Sequence, residues 1–193
     1  GLLFESRADL GPTWEQTFTT PRPTPTTRAW WQERRDELLA IGAEGCAYVY
    51  DGATVRAQAR RLVSLRHADQ VLYAMKANPH EAVLRTVRSE GVGLETVSTG
   101  ELDHAAAVLS GLPAGKVLFT PNFAPREEYA AGIAAGVHVT LDNLHPVQAW
   151  PELFAGAEVF IRLDPGRGRG HHQHVQTGGK ASKFGIAWEE IDA

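Results

Sequence analysis

Cysteine is almost absent from this sequence: Cys46 is the only one, so no disulfide can form within the chain, and a reducing, cytoplasmic setting is expected. No run approaches the ~18 consecutive apolar residues of a membrane span, so no membrane partner is expected. Positive charge is scarce as well. The 19 Lys and Arg against 23 Asp and Glu leave a net charge of -4, which argues against a nucleic-acid surface. Only four of those cations are lysines, Lys76, Lys116, Lys180 and Lys183. The opening residues show no basic-then-apolar leader, and the first of them is Gly1 rather than Met, as in a piece of a longer protein. What is present, 43% apolar and 22% charged residues over 193 positions, is the composition of a globular chain with one core and room for a small appendage.

Residues 1–28 lack apolar periodicity and run into Thr19-Thr20-Pro21-Arg22-Pro23-Thr24-Pro25-Thr26-Thr27. Proline fixes φ and pushes the residue before it toward extended geometry. The segment therefore reads as a semi-rigid linker from a preceding domain, or as an N-terminal arm. Residues 29–66 form a lead-in. Thr27 can cap a helix marked by Trp30, Trp31, Leu38, Leu39 and Ile41 and ended by Gly42 and Gly45. Ala47-Tyr48-Val49-Tyr50 then reads as a short strand, and Asp51 and Thr54 as caps of an Arg-rich helix reaching about Arg66.

Residues 67–193 alternate between two periods. Strand-like runs fall at 71–75, 92–97, 117–120, 137–141 and 159–163, and helix-period stretches at 81–89, 101–109, 126–135 and 144–154. An even βα repeat is the pattern of a parallel sheet with helical crossovers. Its strands are continuous apolar runs, as expected when both faces are buried. Uniform spacing favours a (β/α)8 TIM-type barrel over a doubly wound sheet. Five of the eight strands are then in this chain, so the barrel is incomplete, with open edges that invite association.

In such a barrel, chemistry sits at the C-terminal ends of the strands. The first run ends in Lys76, and a lysine at the end of an apolar strand is costly unless its amine is used or paired. An amine held unprotonated can form a Schiff base with a carbonyl, although a solvated, snorkelling lysine is the plain alternative. The second run leads to Ser98 or Thr99 as helix caps with Glu101 in the first turn. Asp142 or Asn143 after the fourth run reads as a helix cap. After the fifth come Arg162 and the segment Gly166-Arg167-Gly168-Arg169-Gly170-His171-His172-Gln173-His174. Its three histidines have no carboxylate or thiol at ligand spacing, so no metal is expected. Its glycines do not open a helix, so the dinucleotide fingerprint is not met. A polar loop over the site mouth is the preferred reading.

Five motifs stand in order: Tyr48-Val49-Tyr50-Asp51; Tyr73-Ala74-Met75-Lys76-Ala77-Asn78; Gly93-x-Glu95-x-x-Ser98-x-Gly100-Glu101-Leu102; Ile161-Arg162-Leu163-Asp164-Pro165-Gly166; and Ser182-Lys183-Phe184-Gly185. Over about residues 46–190 the chain resembles the alanine-racemase-fold (fold-type III) pyridoxal-phosphate decarboxylases. These act on diaminopimelate, ornithine and arginine, and the diaminopimelate branch is the most similar. With its Pro-rich lead-in, the chain also looks like the decarboxylase part of a bifunctional aspartokinase–diaminopimelate decarboxylase.

The resemblance implies pyridoxal 5′-phosphate as cofactor and Lys76 as the lysine that carries it. Arg162 matches an arginine near the cofactor. Lys183 matches a lysine that supports the dimer interface, and Glu95, Ser98 and Glu101 match a supporting motif. It also implies a homodimer, an amino-acid substrate with meso-diaminopimelate converted to L-lysine as the first choice, and a β-domain to which the 47–50 strand would belong. The family's ring-stacking His, phosphate-binding loop and acid facing the ring nitrogen lie beyond the residues present. A non-catalytic half-domain, an ornithine or arginine decarboxylase, and a pyridoxal-phosphate carrier or racemase are the alternatives. One departure is visible: many relatives have a Lys shortly after the Asn122 position, where this chain has Phe123-Ala124-Pro125.

Overall fold

A computed structural model describes residues 28–164, Gly166 and residues 183–191. The expected Pro-rich linker and the loop carrying His171, His172 and His174 lie outside the described residues, apart from Arg28. The described residues fall into two units, divided between Thr54 and Val55.

In the first unit, α1 (Trp30–Glu33) and α2 (Arg35–Glu44) occupy the expected helical stretch. Gln32 Oε1 accepts the Ala29 N–H at 3.1 Å, which satisfies one of the orphan donors of a helix start. Gly45, at φ 146°, ends α2 in a conformation open to glycine. The expected strand at 47–50 is not formed, and these residues lie in neither helix nor strand. A strand exists only through its ladder partner, and none of the described strands supplies one, so Tyr48 stays 94% exposed. Asp51 Oδ2 accepts both the N–H (2.8 Å) and the hydroxyl (2.6 Å) of Thr54, capping α3 (Gly52–Val63), whose residues from Val55 on are counted with the second unit. That helix stops short of Arg66.

In the second unit, five strands build one sheet: β1 (Leu72–Ala74), β2 (Gly93–Thr96), β3 (Val117–Phe119), β4 (His138–Leu141) and β5 (Val159–Ile161). They lie in chain order and every neighbouring pair is parallel. Between them run α4 (Glu81–Ser89), α5 (Thr99–Val108), α6 (Arg126–Ala134) and two short helices, α7 (His145–Ala149) and α8 (Pro151–Phe154). This is the incomplete barrel that the repeat predicts.

The single helix expected at 144–154 is broken for a backbone reason. Pro151 has no N–H and disfavours the helical region at the residue before it, and Trp150 accordingly leaves the helix at φ -137°, ψ 55°. The fifth strand run is also split. Leu141 O accepts the Arg162 N–H at 2.8 Å, while Arg162 O accepts the Ile186 N–H at 2.7 Å. Arg162 therefore belongs half to the barrel sheet and half to a second, parallel pair, β6 (Leu163–Asp164) and β7 (Ile186–Ala187).

Side-chain alternation divides the sheet. Phe119, Val139 and Leu141 pack with Tyr129 of α6 on the helix side, so His138 and Thr140 project from the opposite face. Met75 and Leu94 join Leu84 and Ala105 in a neighbouring cluster. Full burial of each such aliphatic side chain is worth ~1.5–3 kcal/mol. Close approach also depends on small residues: a Cβ on Gly132 of α6 would lie 2.6 Å from Phe119 Cδ1. No described helix is long and apolar enough to cross a membrane.

Candidate functional site

Lys76 sits in a single 3-10 turn, Met75–Ala77, directly after β1. Met75 is fully buried and anchors the turn, while Lys76 is exposed. No hydrogen bond or ion pair engages Lys76 among the described residues. Its turn is braced instead of its amine. The Tyr73 hydroxyl donates to Asn78 O at 3.3 Å, Asn78 Oδ1 accepts the His80 N–H at 3.0 Å, and His104 Nε2 on α5 donates to Pro79 O at 2.8 Å.

Glu95 is half-buried in β2, in register with Ala74 on one side and Leu118 on the other. Because Leu94 and Thr96 flank it with the opposite direction, Glu95 lies on the face away from the helices. Ser98 does what its sequence context suggests. Its Oγ accepts the Glu101 N–H at 3.3 Å, and Glu101 Oε2 accepts the Val97 N–H at 2.8 Å, a reciprocal cap that starts α5. Of the two candidate caps, Ser98 rather than Thr99 serves the helix start.

Arg162 is half-buried, with its guanidinium carbon 4.7 Å from the centre of the Phe184 ring, within cation–π range. Lys183 Nζ lies 5.1 Å from the same ring centre. Phe184 thus links the Ser-Lys-Phe-Gly motif to the end of β5. Gly185, at φ 85° with the Asp164 amide nitrogen 3.0 Å from where a Cβ would stand, lets that motif close against β6.

One residue at this end of the sheet differs from its sequence reading. Asp142, which reads as a helix cap, is only 1% exposed. The capping contact belongs to its neighbour: Asn143 Oδ1 accepts the His145 N–H at 3.0 Å. Asp142 Oδ1 accepts Asn143 Nδ2 at 2.9 Å, and its Oδ2 is buried without a hydrogen-bond partner, as is Asn122 Oδ1. Burial pushes the Asp142 carboxyl above the ordinary carboxylate range, against the lowering effects of the Asn143 amide and the Arg162 charge. The available signal is its place directly after the buried run Val139–Leu141, where the chain is still inside the fold. The turn before α6 is unusual too. Phe123 stands at φ 52° and 58% exposed, a left-handed conformation rare for a bulky residue.

Lys76, Asp142 and Arg162 therefore follow the C-terminal ends of β1, β4 and β5, the end where βα folds carry their sites. An amine without a partner among the described residues, an arginine and buried, unsatisfied oxygens at one end of the sheet fit a group that bears a carbonyl, an anionic phosphate and polar ring substituents. Among the described residues no group of three or more His, Cys, Asp or Glu is arranged to hold a metal ion.

The fold and this arrangement define a cofactor-binding domain of βα-barrel type. A family model described as "Pyridoxal-dependent decarboxylase, pyridoxal binding domain" matches residues 52–193. The diaminopimelate decarboxylase of Methanothermobacter thermautotrophicus is 34% identical over 148 residues, 74% of this chain and 34% of that protein. The diaminopimelate decarboxylase of Escherichia coli K12 is 30% identical over 162 residues, 82% of this chain and 38% of its own length. In structure, a diaminopimelate decarboxylase 29% identical superposes with a TM-score of 0.67 over 81% of this chain and 38% of the other. The Helicobacter pylori diaminopimelate decarboxylase complexed with L-lysine, 21% identical, shares the fold with a TM-score of 0.69 over 80% of this chain and 41% of the other. The chain belongs to the pyridoxal-dependent decarboxylase family, within its pyridoxal-binding domain, and pyridoxal 5′-phosphate is its cofactor. It spans about a third of the length of the curated relatives it matches.

Proposed function

We propose that this domain serves the decarboxylation of an amino acid, with meso-diaminopimelate as substrate and L-lysine as product, and that Lys76 is the residue that holds the cofactor. The observation that carries the reading is the Lys76 amine, without a partner among the described residues, on a braced turn at the C-terminal end of β1, in a chain whose similarity runs to diaminopimelate decarboxylases. When bound, pyridoxal phosphate supplies an electron sink for the charge left at Cα as carbon dioxide departs. The chain's own residues bind and orient. Lys76 would hold the cofactor through its Nζ amine, and the same nitrogen could give or take a proton during the reaction. Arg162 contributes positive charge at the end of β5, and Glu95 a carboxylate from β2, in register with Ala74. Ser98 keeps α5 in place through its cap. Lys183 belongs to a homodimer contact beside the site, and an aspartokinase domain ahead of the Pro-rich segment completes the same proposal.

The test is chemical. The chain is mixed with pyridoxal phosphate, reduced with borohydride and digested, and the label is mapped by mass spectrometry. A stable label on Lys76, abolished in Lys76→Ala, supports the assignment, and a label elsewhere or none overturns it. Release of carbon dioxide from diaminopimelate supports the substrate. Release from ornithine or arginine replaces it, and a Lys76 label without release from any of the three reduces the chain to a cofactor-holding half-domain.

A further inference from the structure

We propose that Phe184 is a positioning residue: its ring holds the Arg162 guanidinium at the end of β5 while leaving the N–H groups of that guanidinium free for an anionic group. The proposal rests on the reading of Arg162 given above and extends it to the residue that aims it.

The two residues lie far apart in the chain and meet through a ladder. Arg162 is pinned at both backbone groups, its N–H donating to Leu141 O at 2.8 Å and its O accepting the Ile186 N–H at 2.7 Å. Leu163 then pairs with Ile186 and Asp164 with Ala187, so the residues just before β7 are held against the residues just before β6. Gly185 makes that approach possible. At φ 85°, a Cβ there would stand 3.1 Å from Leu163 C and 3.3 Å from Arg162 O. Backbone geometry thus brings the Phe184 ring to the Arg162 side chain, and the guanidinium carbon lies over it, 4.7 Å from its centre.

A ring is a particular kind of restraint. A carboxylate beside the guanidinium would fix it by taking its N–H groups and offsetting its charge. A ring face attracts the cation through its quadrupole and consumes no donor. Among the described residues no hydrogen bond or ion pair engages the guanidinium, so its donor fork stays available. Nor is the ring recruited by the core, for the three apolar clusters of the described residues do not include Phe184. Arginine has a large rotamer freedom. A restraint already in place before an anion arrives removes the cost of freezing it from the binding step.

The experiment uses the full chain, Phe184→Leu, Phe184→Tyr, Arg162→Gln, and the double variant of Phe184→Leu with Arg162→Gln. Relaxation of 15N at the Arg162 Nε–H, without cofactor, is the readout that a merely structural role would not move. In the wild type the order parameter is expected to lie above about 0.6, the level below which a site counts as flexible. Phe184→Leu is expected to fall below that level, and Phe184→Tyr, which keeps the ring face, to match the wild type. Pyridoxal-phosphate titration by absorbance is expected to weaken about two- to fivefold in Phe184→Leu, the scale of one exposed cation–π contact, and not in Phe184→Tyr. The double variant is expected to bind no more weakly than Arg162→Gln alone, as two residues acting as a unit require. Melting of each variant reports folding, and the wild type and Phe184→Tyr decide alone if Phe184→Leu does not fold. A flexible Arg162 in the wild type overturns the proposal. So do an ordered Arg162 or unweakened binding in Phe184→Leu, equal losses in Phe184→Tyr and Phe184→Leu, or additive losses in the double variant. Binding by Arg162→Gln as tight as the wild type's, or no binding by the wild type, overturns instead the cofactor role of Arg162. The order parameters tell that failure apart from a failure of Phe184 to hold the guanidinium.

Discussion

His104 on α5 donates from Nε2 to the carbonyl oxygen of Pro79, 2.8 Å away and three residues beyond Lys76. The second βα unit thereby holds the turn that follows the first strand. His104→Ala removes that donor and leaves the Lys76 turn tied mainly by the Tyr73 hydroxyl. The expected cost is about 0.5–1.5 kcal/mol in chemical denaturation, with a several-fold loss of pyridoxal-phosphate affinity. His104→Gln, which keeps a donor at similar reach, is expected to recover much of both.

Two glycines are held by close packing rather than by turn geometry. A Cβ on Gly93 would lie 2.4 Å from Lys116 O and 2.6 Å from Leu72 Cδ2, and one on Gly132 would lie 2.6 Å from Phe119 Cδ1. Gly132→Ala meets only a side chain and is expected to cost about 1–3 kcal/mol by overpacking. Gly93→Ala meets a backbone carbonyl inside the sheet and is expected to cost more. Thermal melting of the two variants under one condition gives the order.

Asp142 and Tyr129 make stability depend on pH in a defined direction. Burial raises the Asp142 carboxyl above its value in the unfolded chain, so the charged form weighs against folding. That penalty is absent in acid, grows as pH rises past ~3.9, and is complete above the folded-state value. Asp142→Asn is therefore expected to melt above the wild type at about pH 8, with the gap closing on acidification. The Tyr129 phenol is pushed up to about 12, by burial first and then by the Asp142 charge. Spectrophotometric titration of the folded protein is expected to show a late phenol that disappears in Tyr129→Phe.

The outer edge of β5 presents apolar side chains to solvent. Phe160 is 49% exposed and Ile161 53%, and nearby Leu163, Trp188 and Ile191 line a cavity of about 270 Å³ with Ile161. Exposed apolar edges template association. The isolated chain is expected to sediment as a concentration-dependent mixture, and Phe160→Lys is expected to move it toward monomer. A wild-type chain that stays monomeric at all concentrations would contradict this.

Much of this architecture is legible in the residues, because the signals are periodic. The five apolar runs and the helices at 81–89 and 126–134 stand where hydrophobic spacing puts them. Lys76 is legible because charge at a strand end is conspicuous. What sequence reading misses depends on partners far along the chain. Ala47–Tyr50 has strand composition but no ladder among the described residues. Val159–Leu163 looks like one strand, yet Arg162 hands the chain from β4 to β7. Asp142 reads as a cap because Asp and Asn are interchangeable there on local grounds. Only its depth of burial separates it from Asn143.

The order of the sheet has a consequence for how the molecule comes into being. Each strand pairs with the one before it, and ladder partners lie only 20 to 23 residues apart from Leu72–Gly93 to Val139–Val159. Short separations keep the loop-closure penalty small at every step. Assembly can therefore keep pace with synthesis: as a nascent chain lengthens from its N-terminus, each new strand finds a finished neighbour already waiting, and the growing edge, rather than the whole barrel, is what the cell must shield from aggregation.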